Sequence, residues 1–330
     1  MKIKTSLIGT GHLGTIHCKL LKENPYADFI GIYDIDEQKT TQLAKELNIK
    51  KFSNIEETLN ESEAIFIVVP TISHYEIAKK CIENNKHCFI EKPVTSNTQQ
   101  ANELINISKN KPDIIIQIGH IERFNPAIEF LQQHPINPLF IEAHRLTNFK
   151  TRAIDVSVIH DLMIHDIDIA LWLIKSPVKS IDANGVSIIT NTIDIANARI
   201  NFENGAVANL TSSRISAKPM RKMRFFQKYG YFSLDFITPS IEIFKMTKDI
   251  NFIEKDKKIA TMLGDIEDIN LGKHIVFEKP KIKPSNAMQK EQTAFLTSII
   301  NKHNPLINLL EATKALYVAE EISKQITRYK

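Results

Sequence analysis

The sequence predicts an α/β protein, with an N-terminal domain on a parallel sheet and a C-terminal α+β domain on a mostly antiparallel open sheet. Three observations carry this. Up to Gly119, short apolar runs alternate with helical patterns. A glycine-rich turn joins the first run to the first helical pattern. Beyond Gly119, strand-like runs follow one another without helices between them. The expected boundaries are 1–119 and 120–330, with the last helix a candidate to pack back on the first domain.

The N-terminal strands are expected at Thr5–Ile8, Phe29–Tyr33, Ala64–Val69, His87–Ile90 and Ile114–Ile118, each a short apolar run. Between them, Leu13, Ile16, Leu20 and Leu21 share one helical face, as do Ile77, Ala78, Cys81 and Ile82. Leu43, Ala44 and Leu47 mark a further helix, and Ser96 is the expected N-cap of one carrying Ala101 and Leu104. Repeated βα units of this kind close into a parallel sheet covered on both faces. After Gly119 a short helix starts at Asn125-Pro126, with proline in its first turn. Leu139–Ala143 reads as a strand. A long helix is expected over Ser157–Ile174, stopped by Ser176-Pro177. Strands follow at Val178–Asp182, Ala196–Asn201, Ala206–Thr211, Met223–Gln227 and Tyr231–Asp235, two of them joined by the hairpin turn Glu203-Asn204-Gly205. Helices at Ala287–Ile300 and Leu310–Ile326 close the pattern.

The 330 residues suffice for two cores, and a net charge of +4 does not call for a nucleic-acid partner, although it suits an anionic substrate. Cys18, Cys81 and Cys88 are odd in number and far apart, which argues against a disulfide framework and for a reducing, cytoplasmic setting. The strand pattern starts at the N-terminus, so no signal peptide is expected, and no apolar run has transmembrane length, so no membrane partner is expected.

The turn Gly9-Thr10-Gly11-His12-Leu13-Gly14 sits between a strand and a helix, the context that makes a G-x-G-x-x-G pattern informative. Its glycines permit a tight turn, close approach to a pyrophosphate and close helix–strand packing. The helix N-terminus then offers N–H groups and a positive dipole end to phosphates. Asp34 ends the second strand, twenty residues after Gly14. A carboxylate there accepts from both ribose hydroxyls and repels a 2′-phosphate, so the expected cofactor is NAD.

Two further constellations bear chemistry. Glu91-Lys92-Pro93 follows a strand, on the sheet edge where α/β ligands bind, although such a tripeptide by itself also reads as a surface turn. Asp161, His165 and Asp168 recur at i, i+4 and i+7 in an otherwise apolar helix, and a polar stripe there must face water, a partner or a ligand. Satisfied structural residues are the plain alternative. A metal site lacks a third ligand, and no metal is expected.

Together the glycine turn, the Glu91-Lys92-Pro93 tripeptide and the Asp161/His165 pair resemble the glucose-fructose oxidoreductase / inositol dehydrogenase family, Gfo/Idh/MocA. The resemblance implies a Rossmann domain and places the loop Val69-Pro70-Thr71-Ile72-Ser73-His74-Tyr75 near the cofactor. Expected cofactor contacts are Gly9, Thr10, Gly11, His12, Leu13, Gly14, Asp34, Pro70, Thr71, His74, Glu91 and Lys92. It implies that Lys92 and His165 flank the reacting carbon, with Asp161 beside them. A closer similarity is to the branch of that family that oxidises UDP-N-acetylglucosamine at its 3-hydroxyl, giving a 3-keto nucleotide sugar for 2,3-diamino sugars of lipid A. It rests on stretches such as Gly119–Ala127, His144-Arg145-Leu146, Asp194–Arg199 and Thr211–Ser216. Within or near these, Arg123, Asn125, Arg145, Arg152 and Arg214 are the expected substrate residues, since the arginine fork suits a diphosphate. Where that branch has an apolar residue, this chain has His160, which leaves two histidines eligible as base; the i+4 relation to Asp161 favours His165.

An imidazole with an ordinary pKa near ~6.5 is a natural acceptor for the hydroxyl proton. A lysine stabilises the negative charge on the reacting oxygen. Asp161 either orients the imidazole or binds a neighbouring hydroxyl. The alternatives are a dehydrogenase of another polyol or sugar (inositol, a hexose, a UDP-hexuronic acid) and a regulator that binds NAD and sugar without turnover. An apolar sheet face in the second domain predicts a homo-oligomer, dimer or tetramer.

Overall fold

The computed structural model describes residues 1–150, 156–228, 230–247, 260–265 and 274–328. The chain forms two compact units, Met1–Phe124 with Asn286–Glu320, and Asn125–Ser285 with Glu321–Lys330. The first unit therefore runs five residues past the Gly119 boundary read from sequence and takes back a C-terminal segment.

The first unit builds β1 (Ile3–Ile8), α1 (His12–Glu23), β2 (Ala27–Tyr33), α2 (Glu37–Leu47), β3 (Lys50–Lys51), α3 (Ile55–Glu61), β4 (Ala64–Ile67), α4 (His74–Glu83), β5 (His87–Glu91), α5 (Thr98–Ser108) and β6 (Ile116–Gly119). The six strands are parallel in the order β3-β2-β1-β4-β5-β6, so the order reverses between β1 and β4. Both faces are covered, which is why the strands read as continuous apolar runs. On β4, Ile65 and Ile67 pack with Ile8, Ile90 and Ile118 on one face. Ala64 and Phe66 pack with Ile3, Leu7 and Phe89 on the other. β3 and α3 carry no apolar periodicity strong enough to announce them. Asn97, not Ser96, caps α5: its side chain accepts the Gln100 N–H at 2.9 Å, while Ser96 N–H is taken by the Gln100 side chain at 3.2 Å.

The second unit holds α6 (Pro126–Leu131), β7 (Phe140–Leu146), a π-helical turn at Ile159–Met163 running into α7 (Ile164–Ile174), β8 (Val178–Val186), β9 (Ile195–Phe202), β10 (Val207–Ser213), β11 (Met220–Gln227), β12 (Gly230–Asp235), β13 (Ser240–Thr247), β14 (Ala260–Asp265) and β15 (His274–Glu278). Its nine-stranded sheet runs β14-β15-β13-β12-β11-β7-β10-β9-β8, with β7 and β10 parallel and every other pair antiparallel. The long helix expected from Ser157 is thus a π-turn followed by an α-helix. It ends on Lys175 in the left-handed conformation (φ 53°), before the proline is reached. Alternation along the strands buries Ile141, Ala143, Ala208, Leu210, Met223, Phe225 and Ile243 on one face. The opposite face carries a ladder of rings. Phe140, Phe226, Tyr231, Phe244 and Phe277 succeed one another across five strands at centroid spacings of 6.0, 4.6, 4.9 and 4.9 Å.

Two helices follow, α8 (Ala287–Asn301) and α9 (Leu309–Arg328). α8 sets Phe295 edge-on to Phe66 at 5.3 Å, and Leu309, Ala312 and Leu316 of α9 join the core around Ile65 and Ile67. Among the described residues no helix is long and apolar enough to cross a membrane, and no group of three His, Cys, Asp or Glu is placed to hold a metal ion. All three cysteines are unpaired and buried.

Candidate active site

The β1–α1 turn shows why each glycine is there. Gly9 has φ +104°, and a Cβ on it would lie 2.2 Å from the Val68 carbonyl oxygen. A Cβ on Gly14 would lie 1.9 Å from the Gly9 carbonyl oxygen. At Gly11 a Cβ would meet nothing within 4 Å. Gly9 and Gly14 are thus demanded by the fold, whereas Gly11 faces open space. Gly11 is also the N-cap of α1 and brings no side chain to its first N–H groups, so they remain available to an anion.

That open space is a cavity of about 790 Å³ at the point where the strand order reverses. Gly9, Thr10, Gly11, His12, Leu13, Gly14, Asp34 and Pro70, all named from the sequence as cofactor contacts, line it. Asp34 Oδ2 accepts from the Thr10 N–H and, at 3.1 Å, from its hydroxyl, while Oδ1 accepts the Asp36 N–H at 3.0 Å. The acid that the sequence assigns to a ribose therefore also braces the glycine turn. Sequence reasoning missed Ile35 and Lys39 in the lining, and named Ile72 only as part of the loop near the cofactor. Ile35 and Ile72 are 89% and 79% exposed, and nothing in an apolar residue's identity signals that it will stand bare beside a cleft. Lys39 is paired with Asp36 at 2.9 Å.

Four residues expected at the cofactor do not line that cavity: Thr71, His74, Glu91 and Lys92. Thr71 opens a 3-10 turn, Thr71–Ser73. His74 is buried between two carbonyls, with Nδ1 2.8 Å from Pro93 O and Nε2 2.9 Å from Val69 O. Burial holds its imidazole below the ordinary value. It straps the loop after β4 to the turn after β5, a structural role that its sequence position does not announce. Glu91 is likewise turned inward, onto His17 of α1 at 3.0 Å, because a carboxylate at the end of a fully buried strand must find donors within the core. Lys92 is half-buried at the end of β5, and its peptide bond to Pro93 is cis.

In the second unit, the π-turn carries His160 and Asp161, and α7 begins one residue before His165. All three are half-buried, whereas Asp168 is 2% exposed. The three-residue stripe read from an ideal α-helix is therefore split. A π-turn bonds i to i+5, so both His160 and Asp161 precede His165 by about one turn. Ser157 Oγ lies 3.0 Å from His160 Nδ1. α7 is fixed to β7 by Arg145, whose Nε and Nη2 reach Asp166 at 3.0 and 2.8 Å with both side chains almost fully buried.

Four of the five residues expected at the substrate lie among the described residues. Arg145 is locked to Asp166. Arg214 donates to the Val156 carbonyl just before the π-turn and is 7% exposed. Asn125 caps α6 through the Ala127 N–H and donates to Phe236 O at 3.2 Å. Arg123 is 2% exposed. A guanidinium reads the same in a sequence whether it meets a phosphate or a buried carboxylate, and here burial favours the internal partner. Arg152 lies outside the described residues. Sequence reasoning also missed Asp194, which is buried and gathers the N–H groups of Ile188, Ile189 and Thr190 at 2.7, 2.7 and 2.9 Å, plus the Thr190 hydroxyl at 2.7 Å. Burial raises its pKa, but those donors outweigh it and bring the carboxyl to about 2.

Comparison with known proteins agrees with this fold. Residues 3–120 match the model of an oxidoreductase family with an NAD-binding Rossmann fold, GFO_IDH_MocA, and residues 117–233 match the GFO/IDH/MocA C-terminal domain. The chain is 37% identical over 243 residues to UDP-N-acetylglucosamine 3-dehydrogenase of Acidithiobacillus ferrooxidans, covering 73% of this chain and 77% of that one. The solved structure of that enzyme superposes with a TM-score of 0.88 and 30% identity, over 99% of this chain and 98% of that one. Scyllo-inositol 2-dehydrogenase (NAD(+)) of Bacillus subtilis is 27% identical over 65% of this chain and 68% of its own.

Proposed function

The chain belongs to the Gfo/Idh/MocA family of oxidoreductases, and from that premise we propose that it oxidises the 3-hydroxyl of UDP-N-acetylglucosamine with NAD. The observation that carries the substrate is the 37% identity to a dehydrogenase of that name. The cavity fits the cofactor: the open face of Gly11 and the uncapped start of α1 suit a pyrophosphate, and Asp34 suits an unphosphorylated ribose. Bound NAD supplies the hydride acceptor. Lys92 donates to the reacting oxygen and stabilises its negative charge. His165 takes the hydroxyl proton on its ring, and Asp161 stabilises the imidazolium. Some of the arginines that the sequence nominates meet the substrate diphosphate. The product is a 3-keto nucleotide sugar, the precursor of a 2,3-diamino sugar of lipid A. The protein acts in the cytoplasm, as a homo-oligomer paired through the ring-bearing face of its second sheet.

The test is NADH absorbance in single turnovers with UDP-N-acetylglucosamine, UDP-glucuronic acid, myo-inositol, scyllo-inositol and glucose. Reduction is expected with UDP-N-acetylglucosamine. Reduction with an inositol alone overturns the substrate, and binding of NAD and sugar without NADH overturns the enzyme in favour of a regulator. Lys92→Ala and His165→Ala each lower the single-turnover rate by about 100-fold or more. A rate near that of the unaltered protein removes the residue concerned from the mechanism.

A further inference from the structure

The end of β5 carries a buried polar cluster that no step above uses. The Glu91 carboxylate bridges two donors. Its Oε1 lies 3.0 Å from His17 Nε2, and its Oε2 accepts the backbone N–H of Lys92 at 3.0 Å. His17 is fully buried in α1, three residues after Gly14. Gln292 of α8 places its Nε2 3.0 Å from His17 Nδ1 and 3.1 Å from the His17 carbonyl oxygen. A carbonyl oxygen only accepts, so the amide must present its NH₂ group to His17. Nδ1 then accepts as well, and the ring proton sits on Nε2, aimed at Glu91. On the other side, a Cβ on Gly119 of β6 would lie 3.0 Å from Glu91 Oε2, so the carboxylate is seated against the bare backbone of Gly119.

The neighbouring acid is accounted for too. Glu291 of α8 is fully buried, with neither oxygen hydrogen-bonded. Burial, reinforced by the Glu91 charge, pushes its carboxyl well up, so it stays protonated. Burial also raises Glu91, but the hydrogen bond from His17, the Lys92 charge and the Lys92 N–H bring it below the usual carboxylate value. Glu91 is therefore the charged acceptor of the cluster, and Glu291 is neutral.

We propose that Glu91, held by His17 and Gln292, is the positioning residue for Lys92. It fixes the backbone from which the lysine projects and ties it to α1, the helix whose start faces the cofactor cavity. The inference rests on Lys92 being the group that stabilises the reacting oxygen. A buried ion or hydrogen-bonded acid adds little to stability over a well-packed apolar group of the same volume, but it imposes direction, and direction is what a reacting lysine needs.

Four variants of the full chain test this. Glu91→Gln keeps the volume, but either amide orientation opposes a donor to His17 Nε2–H or to Lys92 N–H. His17→Leu removes the donor, and His17→Gln keeps one. Glu291→Gln replaces a protonated acid by a neutral amide and is the control. With UDP-N-acetylglucosamine, Glu91→Gln and His17→Leu lower kcat by about 10-fold or more and leave the KM for NAD within about 2-fold. His17→Gln recovers most of the loss, and Glu291→Gln does not change kcat. Lys92 is also read without turnover, from its ¹³C-dimethyl NMR signal after reductive methylation, assigned with Lys92→Arg. That signal moves or broadens in Glu91→Gln and His17→Leu and not in Glu291→Gln. A Lys92 signal unmoved in both folded variants overturns the proposal, whatever turnover shows. A moved signal with undiminished kcat overturns Lys92 as the reacting lysine and leaves the tether standing. Should Glu91→Gln fail to fold, the His17→Leu and His17→Gln pair makes the same comparison.

Discussion

Three glycines of one turn do three different things, and the difference can be measured. A methyl group on Gly14 collides with a backbone carbonyl at 1.9 Å, whereas one on Gly11 meets only the cavity. Gly14→Ala is therefore expected to lower the melting temperature or abolish folding. Gly11→Ala leaves the melt of the free protein unchanged and weakens NAD binding by about 10-fold or more, since the methyl group occupies the space of the pyrophosphate. Thermal melts with and without NAD separate the two, and equal effects of both substitutions would contradict the assignment. Asp34 is the next case. Asp34→Ala weakens NAD binding and narrows the preference over NADP, and it also loosens the turn by removing the acceptor of the Thr10 N–H and hydroxyl. Titration of the variant with each dinucleotide checks this; unchanged selectivity would count against a ribose role. These residues were legible in the sequence because their roles are local: a turn, its helix and the next strand end lie within one βαβ unit.

At the scale of elements, the segment that carries Asp161 and His165 is held in place by two buried acids. Asp166 anchors α7 to β7 through Arg145, and Asp194 gathers the loop before β9. The Ile193 carbonyl accepts the Val158 N–H at 2.9 Å, and Arg214 reaches from after β10 to the Val156 carbonyl. Asp194 makes a pH-dependent contribution with a definite sign. Its carboxyl is depressed from 3.8 to about 2, so the contribution is complete above pH ~4 and is lost as pH falls through about 2. Asp194→Asn, which mimics the protonated acid, is expected to cost about 2 kcal/mol at pH 7 and progressively less below pH ~4. Urea midpoints at pH 7 and pH 3 test it; a difference that does not shrink with acid would show that the charge is irrelevant. The sequence pointed to Asp161 and His165 by helical spacing, but the π-turn was hidden. Apolar periodicity does not register one extra residue in a turn when nearly every flanking position is apolar. Arg145 and Arg214 were hidden for a related reason: their partners lie 21 and 58 residues away, and only the fold pairs them.

For the whole molecule, the ring ladder of the second sheet is the feature with most consequence. Phe226 is 40% exposed, and its neighbours on the ladder are half-buried, on a face that alternation would ordinarily make polar. If this face pairs subunits, Phe226→Glu shifts the protein to a smaller species in light scattering coupled to size exclusion, with the Rossmann unit still binding NAD. An unchanged mass would place the interface elsewhere. Beyond the boundary at Phe124, the division into units also depends on tertiary structure. Asn286–Glu320 returns to the first unit because Phe295, Leu296, Ala312 and Leu316 complete its two cores.

The sequence by itself determined what periodicity and local spacing encode: alternating elements, a glycine-rich turn with the acid at the next strand end, and a parallel sheet followed by a mostly antiparallel one. Tertiary structure alone decided which polar residues look inward. His74, Glu91, Arg145 and Arg214 carry the same groups that would bind a ligand, and each is engaged by an atom of the protein itself. Burial makes an unmet donor or acceptor expensive, so the nearest partner in space claims the group, and nearness in space is what a linear pattern does not contain.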